Sequence, residues 1–159
     1  MRPDRLARRV HEIPLEELHD AGVRGLIIDL DNTLVGYRQQ HPTEEDAAWV
    51  AAALGRGIRI VIVSNNVQGW VSEIADGLKI SFLHKAQKPL PRAFGKAMKL
   101  LGTSREQTMV VGDQLFTDVL GAKLCGLKVI LTEPFGPREH IAMRFLRFFE
   151  RLLLRGRRV

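Results

Sequence analysis

Four polar stretches of this chain place carboxylates, an ammonium group and short hydroxyl or amide side chains directly behind apolar runs. Asp29 closes the run 25–29, with Asp31, Asn32 and Thr33 just beyond it; Ser64, Asn65 and Asn66 follow the run 58–63. Lys88 follows a weaker run, 80–83, and Gly112, Asp113 and Asp118 follow the run 108–111. Asp29, Asp31 and Asp113, with Asp118 near by, form a hard, oxygen-rich set of the kind that suits Mg²⁺, which takes carboxylates, waters and phosphate oxygens as ligands. Carboxylates alone would repel a phosphate dianion. A divalent cation and the Lys88 ammonium offset that repulsion and stabilise charge on a transferring phosphoryl group. Ser64 and Asn65 add hydroxyl, amide and backbone N–H donors, expected at a helix N-terminus where anions bind readily. Singly, each piece is ordinary: Asp-x-Asp as a turn, Ser-Asn-Asn as a helix cap, Lys88 as surface. Together, in order and each at the end of an apolar run, they describe a phosphoryl-transfer site.

The elements that must position these residues are legible from periodicity. The runs 25–29, 58–63, 108–111 and 127–131, with 80–83 as a weaker fifth, read as short strands buried on both faces, the signature of a parallel sheet. Helical signals lie between them. Thr43, after Pro42, opens a capping box with Asp46. Val67, Trp70, Val71, Ile74 and Leu78 form one apolar stripe, and Leu90, Ala93, Phe94, Ala97 and Leu101 form another, opened by Pro89 and Pro91 and closed by Gly102. Strand–helix alternation predicts a doubly wound, Rossmann-like α/β sandwich of three layers, with a mostly parallel sheet of about five strands. Ligands of such sheets sit at the carboxyl ends of the strands, where the polar residues fall. Charges there are costly to desolvate unless paired or metal-bound.

With 159 residues the chain fits one domain spanning 1–159, large enough for a core without staples. A single cysteine, Cys125, excludes a disulfide framework within the chain, and five scattered histidines give no zinc-ligand spacing. No apolar run approaches the ~20 residues of a membrane span, and no secretory signal opens the chain. The expected location is cytoplasmic, with the inner face of a membrane left open as a peripheral one. The net charge of +6 is uneven: residues 1–10 carry +3 and residues 138–159 carry +5, which leaves −2 for the middle.

At the motif residues the sequence resembles the haloacid dehalogenase-like (HAD) phosphohydrolases. Asp29-Leu30-Asp31-Asn32-Thr33-Leu34 is similar to their first motif, Ser64 to their second, Lys88 to their third, and Gly112-Asp113 with Asp118 to their fourth. DLDNTLV, VSNN, HKAQKPLPRAF and VGDQLFTDVLGA resemble more narrowly the YqeG-type subfamily of class IIIA, which is related to the mitochondrial phosphatidylglycerophosphate phosphatases. The resemblance implies a Mg²⁺-dependent phosphomonoester hydrolase with an aspartyl-phosphate on Asp29. It implies Asp31 as general acid and then base, and Lys88 as both catalytic and phosphate-binding. The metal would be held by Asp29, Asp31 (through its backbone carbonyl) and Asp113, with Asp118 orienting Lys88 or a metal-bound water. Thr33, Ser64 and Asn65 would complete the substrate site.

Spacing bounds the substrate. Only 32 residues separate Asp31 from Ser64 and 23 separate Ser64 from Lys88, too few for an inserted cap domain of at least ~50 residues. An uncapped site admits a phosphate on a large or membrane-embedded molecule. Arg144, Arg147, Arg151 and Arg155 fall on one stripe of a basic amphipathic helix expected over about 138–155, which would either lie on an anionic bilayer or dock on the sheet. Phosphatidylglycerophosphate is the favoured substrate. A soluble or nucleic-acid-linked phosphate, or a non-catalytic RNA- or ribosome-associated module, are the alternatives. With one tyrosine and no interleaved surface aromatics, nucleic acid is not favoured.

Overall fold

The computed structural model describes residues 2–36 and 39–135. Strand β1 (Arg5–Ala7) leads through a 3₁₀ turn and helix α1 (Leu15–Asp20) to β2 (Gly25–Ile28). Helix α2 (Glu44–Gly55) joins β2 to β3 (Arg59–Val63), α3 (Gln68–Leu78) joins β3 to β4 (Ser81–Leu83), and α4 (Pro91–Leu101) joins β4 to β5 (Thr108–Gly112). A wide π-type turn (Leu115–Val119) runs straight into α5 (Leu120–Leu124), followed by β6 (Lys128–Thr132). All strands are parallel, in the order β1-β6-β5-β2-β3-β4. The chain walks outward from β2 through β3 to β4 and then returns to place β5 on the other side of β2. That reversal opens a crevice at the carboxyl ends of β2 and β5, where Asp29 and Asp113 emerge.

The pleat assigns the core. Ile27, Val61, Val110 and Val129 stand in register across the four central strands, and so do Ile28, Ile62, Val111 and Ile130 one step on. The first row packs against Ala93, Phe94 and Ala97 of α4 and Ala122 of α5. The second packs on the other face, against Trp49 and Val50 of α2 and Val71 and Ile74 of α3. Each such side chain removed from water stabilises the fold by about 1.5–3 kcal/mol, so the strand ends form a fixed platform. This is the expected three-layer α/β sandwich. The gap from Asp31 to Ser64 is filled by a loop, α2 and β3, and the gap from Ser64 to Lys88 by α3 and β4; neither holds a further domain.

The sheet has six strands rather than five. The extra one, β1, falls inside the basic segment 1–10 and among the described residues pairs only with β6, Leu6 opposite Leu131. It lies at the sheet edge with Leu6 exposed, so it has no apolar run to advertise it. Asp4 ties it down, its carboxylate accepting from Lys123 Nζ (2.6 Å) and from the backbone N–H of Val129 (2.7 Å).

Thr43 caps α2 as expected, its Oγ1 accepting from the Asp46 N–H at 3.1 Å. The Asp46 carboxylate, fully buried, then takes the Thr43 hydroxyl (2.8 Å) and His11 Nδ1 (2.8 Å), pinning the start of α2 to the 3₁₀ turn. Val67 and Leu90, expected in the apolar stripes of α3 and α4, precede the first turns of those helices and are exposed; the rest of each stripe is buried or half-buried. Gly102, in the left-handed region, closes α4. The expected basic helix over about 138–155 lies outside the described residues. Among the described residues no helix is long and apolar enough to cross a membrane.

Candidate active site

The register of β2 and β5 brings the first and fourth motifs side by side. The Asp29 N–H donates to the Val111 carbonyl at 2.9 Å, which locks the residue after β2 against the end of β5. Beyond Asp29 the chain turns sharply. Asn32 adopts a left-handed conformation (φ 62°), and the N–H groups of Thr33, Leu34 and Val35 all donate to the Leu30 carbonyl. The tight turn carries Thr33 back over the crevice, where its hydroxyl lies 3.4 Å from Asp113 Oδ1.

Lys88 enters from the loop after β4 and is 3% exposed. Its Nζ donates to Asp29 Oδ1 at 2.6 Å and to Asp118 Oδ1 at 2.7 Å, both carboxylates being buried as well. Burial opposes charge on this ammonium, but Asp118 and Asp29 more than reverse that effect, so its pKa is raised and it stays protonated. Asp118 is carried by the π-type turn, in which both the Asp118 and Val119 N–H groups donate to the Gln114 carbonyl. Such widened turns re-aim side chains inside helices and often mark functional sites. The second Asp118 oxygen accepts from the Gln114 N–H at 3.2 Å. Gly112 is required beneath it, since a Cβ there would stand 2.4 Å from the Asp118 carboxyl carbon.

Asp29, Asp113 and Asp118 present carboxylate oxygens within 4.8 Å of one another, all three residues buried. One ammonium cannot neutralise three buried carboxylates. Burial, with Asp29 adding to it and Lys88 opposing it, pushes the Asp118 carboxyl up to about 6. A compact set of buried anionic oxygens with surplus negative charge fits a hard divalent cation, whose binding would relieve that surplus.

Asp31 stands apart from this trio. Its carboxylate faces Ser64 Oγ (3.5 Å) and the Asn66 side-chain amide (3.4 Å to Oδ1), so its side chain is not among the clustered oxygens; the place expected for Asp31 on the metal is through its backbone carbonyl. Ser64 is fully buried and its Oγ also accepts from the Asn66 N–H at 3.0 Å. Ser64 and Asn65 do not sit at a helix N-terminus: α3 begins at Gln68, after an N-cap at Val67. The side chain of Asn65, a residue expected in the substrate site, is bonded to Lys88. Its Oδ1 accepts from the Lys88 N–H (2.8 Å) and its Nδ2 donates to the Lys88 carbonyl (3.2 Å), a two-way clamp that fixes the lysine backbone. Gln114 under Asp118 escaped the sequence reading, while Asn66 and Gly112 stand in it without the roles the fold gives them, Asn66 beside Asp31 and Gly112 as the space that admits the Asp118 carboxylate. Asn66 had a signal, a second amide next to Ser64, but which neighbour each amide would face depends on the fold.

The chain matches the haloacid dehalogenase-like hydrolase family over residues 37–126. It is also 37% identical over 152 residues to the Bacillus subtilis protein named "Probable phosphatase YqeG", covering 96% of this chain and 88% of that one. The chain belongs to the haloacid dehalogenase-like hydrolases. A glyceraldehyde 3-phosphate phosphatase of Pyrococcus abyssi is 27% identical over 65% of this chain and 47% of its own. The cobalt-bound deoxy-D-mannose-octulosonate 8-phosphate phosphatase of Haemophilus influenzae has the same fold, with a TM-score of 0.60 at 17% identity over 80% of this chain and 90% of its own. This HAD-like hydrolase is a phosphatase, and its buried acidic cluster lies at the carboxyl ends of the two central strands.

Proposed function

We propose that this phosphatase is a Mg²⁺-dependent phosphomonoesterase that works through an aspartyl-phosphate on Asp29, with phosphatidylglycerophosphate as its substrate. The observation that carries the reading is the buried Lys88 held between Asp29 and Asp118, with Asp113 completing the group at the sheet's switch point. Mg²⁺ held by Asp29, Asp113 and the Asp31 backbone carbonyl, with Asp118 beside them, would supply Lewis-acid neutralisation of the phosphoryl oxygens.

The chain's own groups divide the rest of the work. In the first displacement an Asp29 carboxylate oxygen attacks phosphorus, the bond from phosphorus to the alcohol oxygen breaks, and Asp31 protonates that oxygen as it leaves. In the second, Asp31 takes a proton from water, the water oxygen attacks phosphorus, and the bond to Asp29 breaks to free phosphate. Lys88 keeps the Asp29 carboxylate oriented and balances charge on the transferring group. Asn65 holds the lysine backbone so that the ammonium does not swing away. Thr33 and Ser64 shape the phosphate site around Asp113 and Asp31. The separation of Asp31 from the buried trio supports two roles for two aspartates, one nucleophilic and one acid–base.

The capless architecture and the YqeG-type resemblance support a lipid-borne phosphate. Purified protein with Mg²⁺ should release phosphate from an aryl phosphate, and Asp29→Asn should reduce that to background. Phosphatidylglycerophosphate in anionic vesicles should be preferred over soluble phosphates. A preference for soluble compounds that survives deletion of residues 141–159 in a folded protein would remove the lipid assignment and leave the phosphatase.

A further inference from the structure

From the carboxyl end of β4, an edge strand of the sheet among the described residues, a groove runs along helix α4. Its upper part is a cavity of about 260 Å³ whose walls include His84, Lys85, Arg92 and Lys96 and no carboxylate. Its lower part is a second cavity of about 290 Å³, sharing Leu83 and Lys96 with the first and bounded by Leu100 and Lys99. Lys85, Arg92 and Lys96 are exposed, and among the described residues none of the three enters a salt bridge. His84 Nδ1 is buried with no hydrogen-bond partner among the described residues. This concentration of unpaired cations contrasts with a chain middle whose net charge is negative.

The groove is tied to the centre by the backbone. The Lys85 N–H donates to the Asn66 carbonyl (2.9 Å) and the Ala86 N–H to the Ser64 carbonyl (3.0 Å), so the loop that walls the groove is bonded directly to the loop whose Ser64 and Asn66 side chains face Asp31. Lys85 precedes Lys88 by three residues, a Cα span of at most about 11 Å. The lower part presents Leu83, half-buried, and Leu100, which is 54% exposed. A cationic mouth over an apolar floor is complementary to an anionic amphiphile, and beside a phosphatase centre that is a phosphate joined to hydrocarbon.

We propose that this groove binds an anionic amphiphile, its phosphate held by Lys85, Arg92 and Lys96 and its hydrocarbon lying over Leu83 and Leu100. The inference deepens the phosphatase reading and rests on it only for the groove's role in catalysis. A substrate with two phosphates would place its terminal monoester at Asp29 and its inner diester in the groove. Recognition then reads the second phosphate and the tail, neither of which reacts.

The test uses diesters, which a monoesterase does not turn over. Binding to the full chain would be measured by titration calorimetry with three probes. These are dihexanoyl phosphatidylglycerol below its micelle concentration, glycerophosphoglycerol (the same headgroup without acyl chains) and dihexanoyl phosphatidylcholine. The first should bind about tenfold or more tightly than either of the others, since charge and tail act together. The double variant R92E/K96E should lose about tenfold or more of that affinity while hydrolysing p-nitrophenyl phosphate like the parent, which also shows that it is folded. Leu100→Asp should weaken the lipid and leave glycerophosphoglycerol unchanged. Unaltered lipid binding in R92E/K96E overturns the proposal. Equal affinity for phosphatidylglycerol and glycerophosphoglycerol overturns it too, in favour of a soluble phosphate. Loss of p-nitrophenyl phosphate hydrolysis in the parent would sink the phosphatase mechanism and leave the binding result to decide the groove separately.

Discussion

The crevice between β2 and β5 and the groove between β4 and α4 hold charges under opposite conditions. In the crevice, Asp29, Lys88 and Asp118 are nearly inaccessible and satisfy one another at 2.6–2.7 Å. In the groove, Lys85, Arg92 and Lys96 stand in solvent. Breaking a buried pair leaves an uncompensated charge in a poorly polarisable interior, whereas an exposed charge is screened by water and salt. The same residue type, lysine, is therefore structural as well as chemical in one place and available for a ligand in the other. Residue type alone carries no such distinction; burial does.

The comparison breaks most visibly at the two lysines. Lys88→Met should cost about 3–5 kcal/mol of unfolding free energy, because Asp29 and Asp118 remain buried without their counter-charge. Lys96→Met should stay within about 0.5 kcal/mol. Urea denaturation of both variants at neutral pH checks the contrast, and comparable losses would remove it.

Metal supply is the next lever. Asp118 titrates near 6 in the fold against 3.8 ordinarily. Between those values the folded carboxyl holds a proton that the unfolded chain has released, so the contribution is favourable at low pH and is lost as pH rises through that window. A divalent cation requires the ionised form. Saturating Mg²⁺, at about 100 times its dissociation constant, should stabilise the protein by about 2.7 kcal/mol at neutral pH. The shift in melting temperature should shrink toward pH ~5 as protons compete for Asp118. A shift independent of pH would detach Asp118 from the metal.

Smaller effects separate two glycines. Gly112→Ala sets a methyl 2.4 Å from the Asp118 carboxyl carbon and should cost about 1–3 kcal/mol, with the Mg²⁺-dependent gain reduced. Gly95, inside α4 beside the groove, has open space around a built Cβ, and Gly95→Ala should stabilise by about 0.5–1 kcal/mol. Thermal melts with and without Mg²⁺ read both.

Much of this division was legible beforehand. Asp29, Ser64, Lys88, Asp113 and Asp118 each follow an apolar run, and runs of β-branched residues report a parallel sheet because both faces must be covered. What escaped depended on geometry that periodicity does not encode. Strand β1, a single pairing at the sheet edge, needs no apolar run, so Arg5–Ala7 looked like a charged arm. Val67 and Leu90 matched the helical stripes by spacing, yet each lies just before its helix, where the period no longer fixes direction. Asn65 and Asn66 are equivalent in sequence; one clamps Lys88 and the other faces Asp31 because the chain turns between them.

The Asn65 clamp has a consequence for how this scaffold can change. Two hydrogen bonds between the Asn65 side chain and the Lys88 backbone close the segment from Asn65 to Lys88 into a ring, and the Lys85 and Ala86 N–H groups reinforce the seam. Closure of a loop grows costly only with the logarithm of its length. Residues added at the exposed turn near Lys79 would therefore lengthen the ring and leave its seam in place. That turn is in this sense a point of insertion, free to acquire new recognition surface while α3 and β4 keep their places on the sheet and the lysine stays where the chemistry needs it.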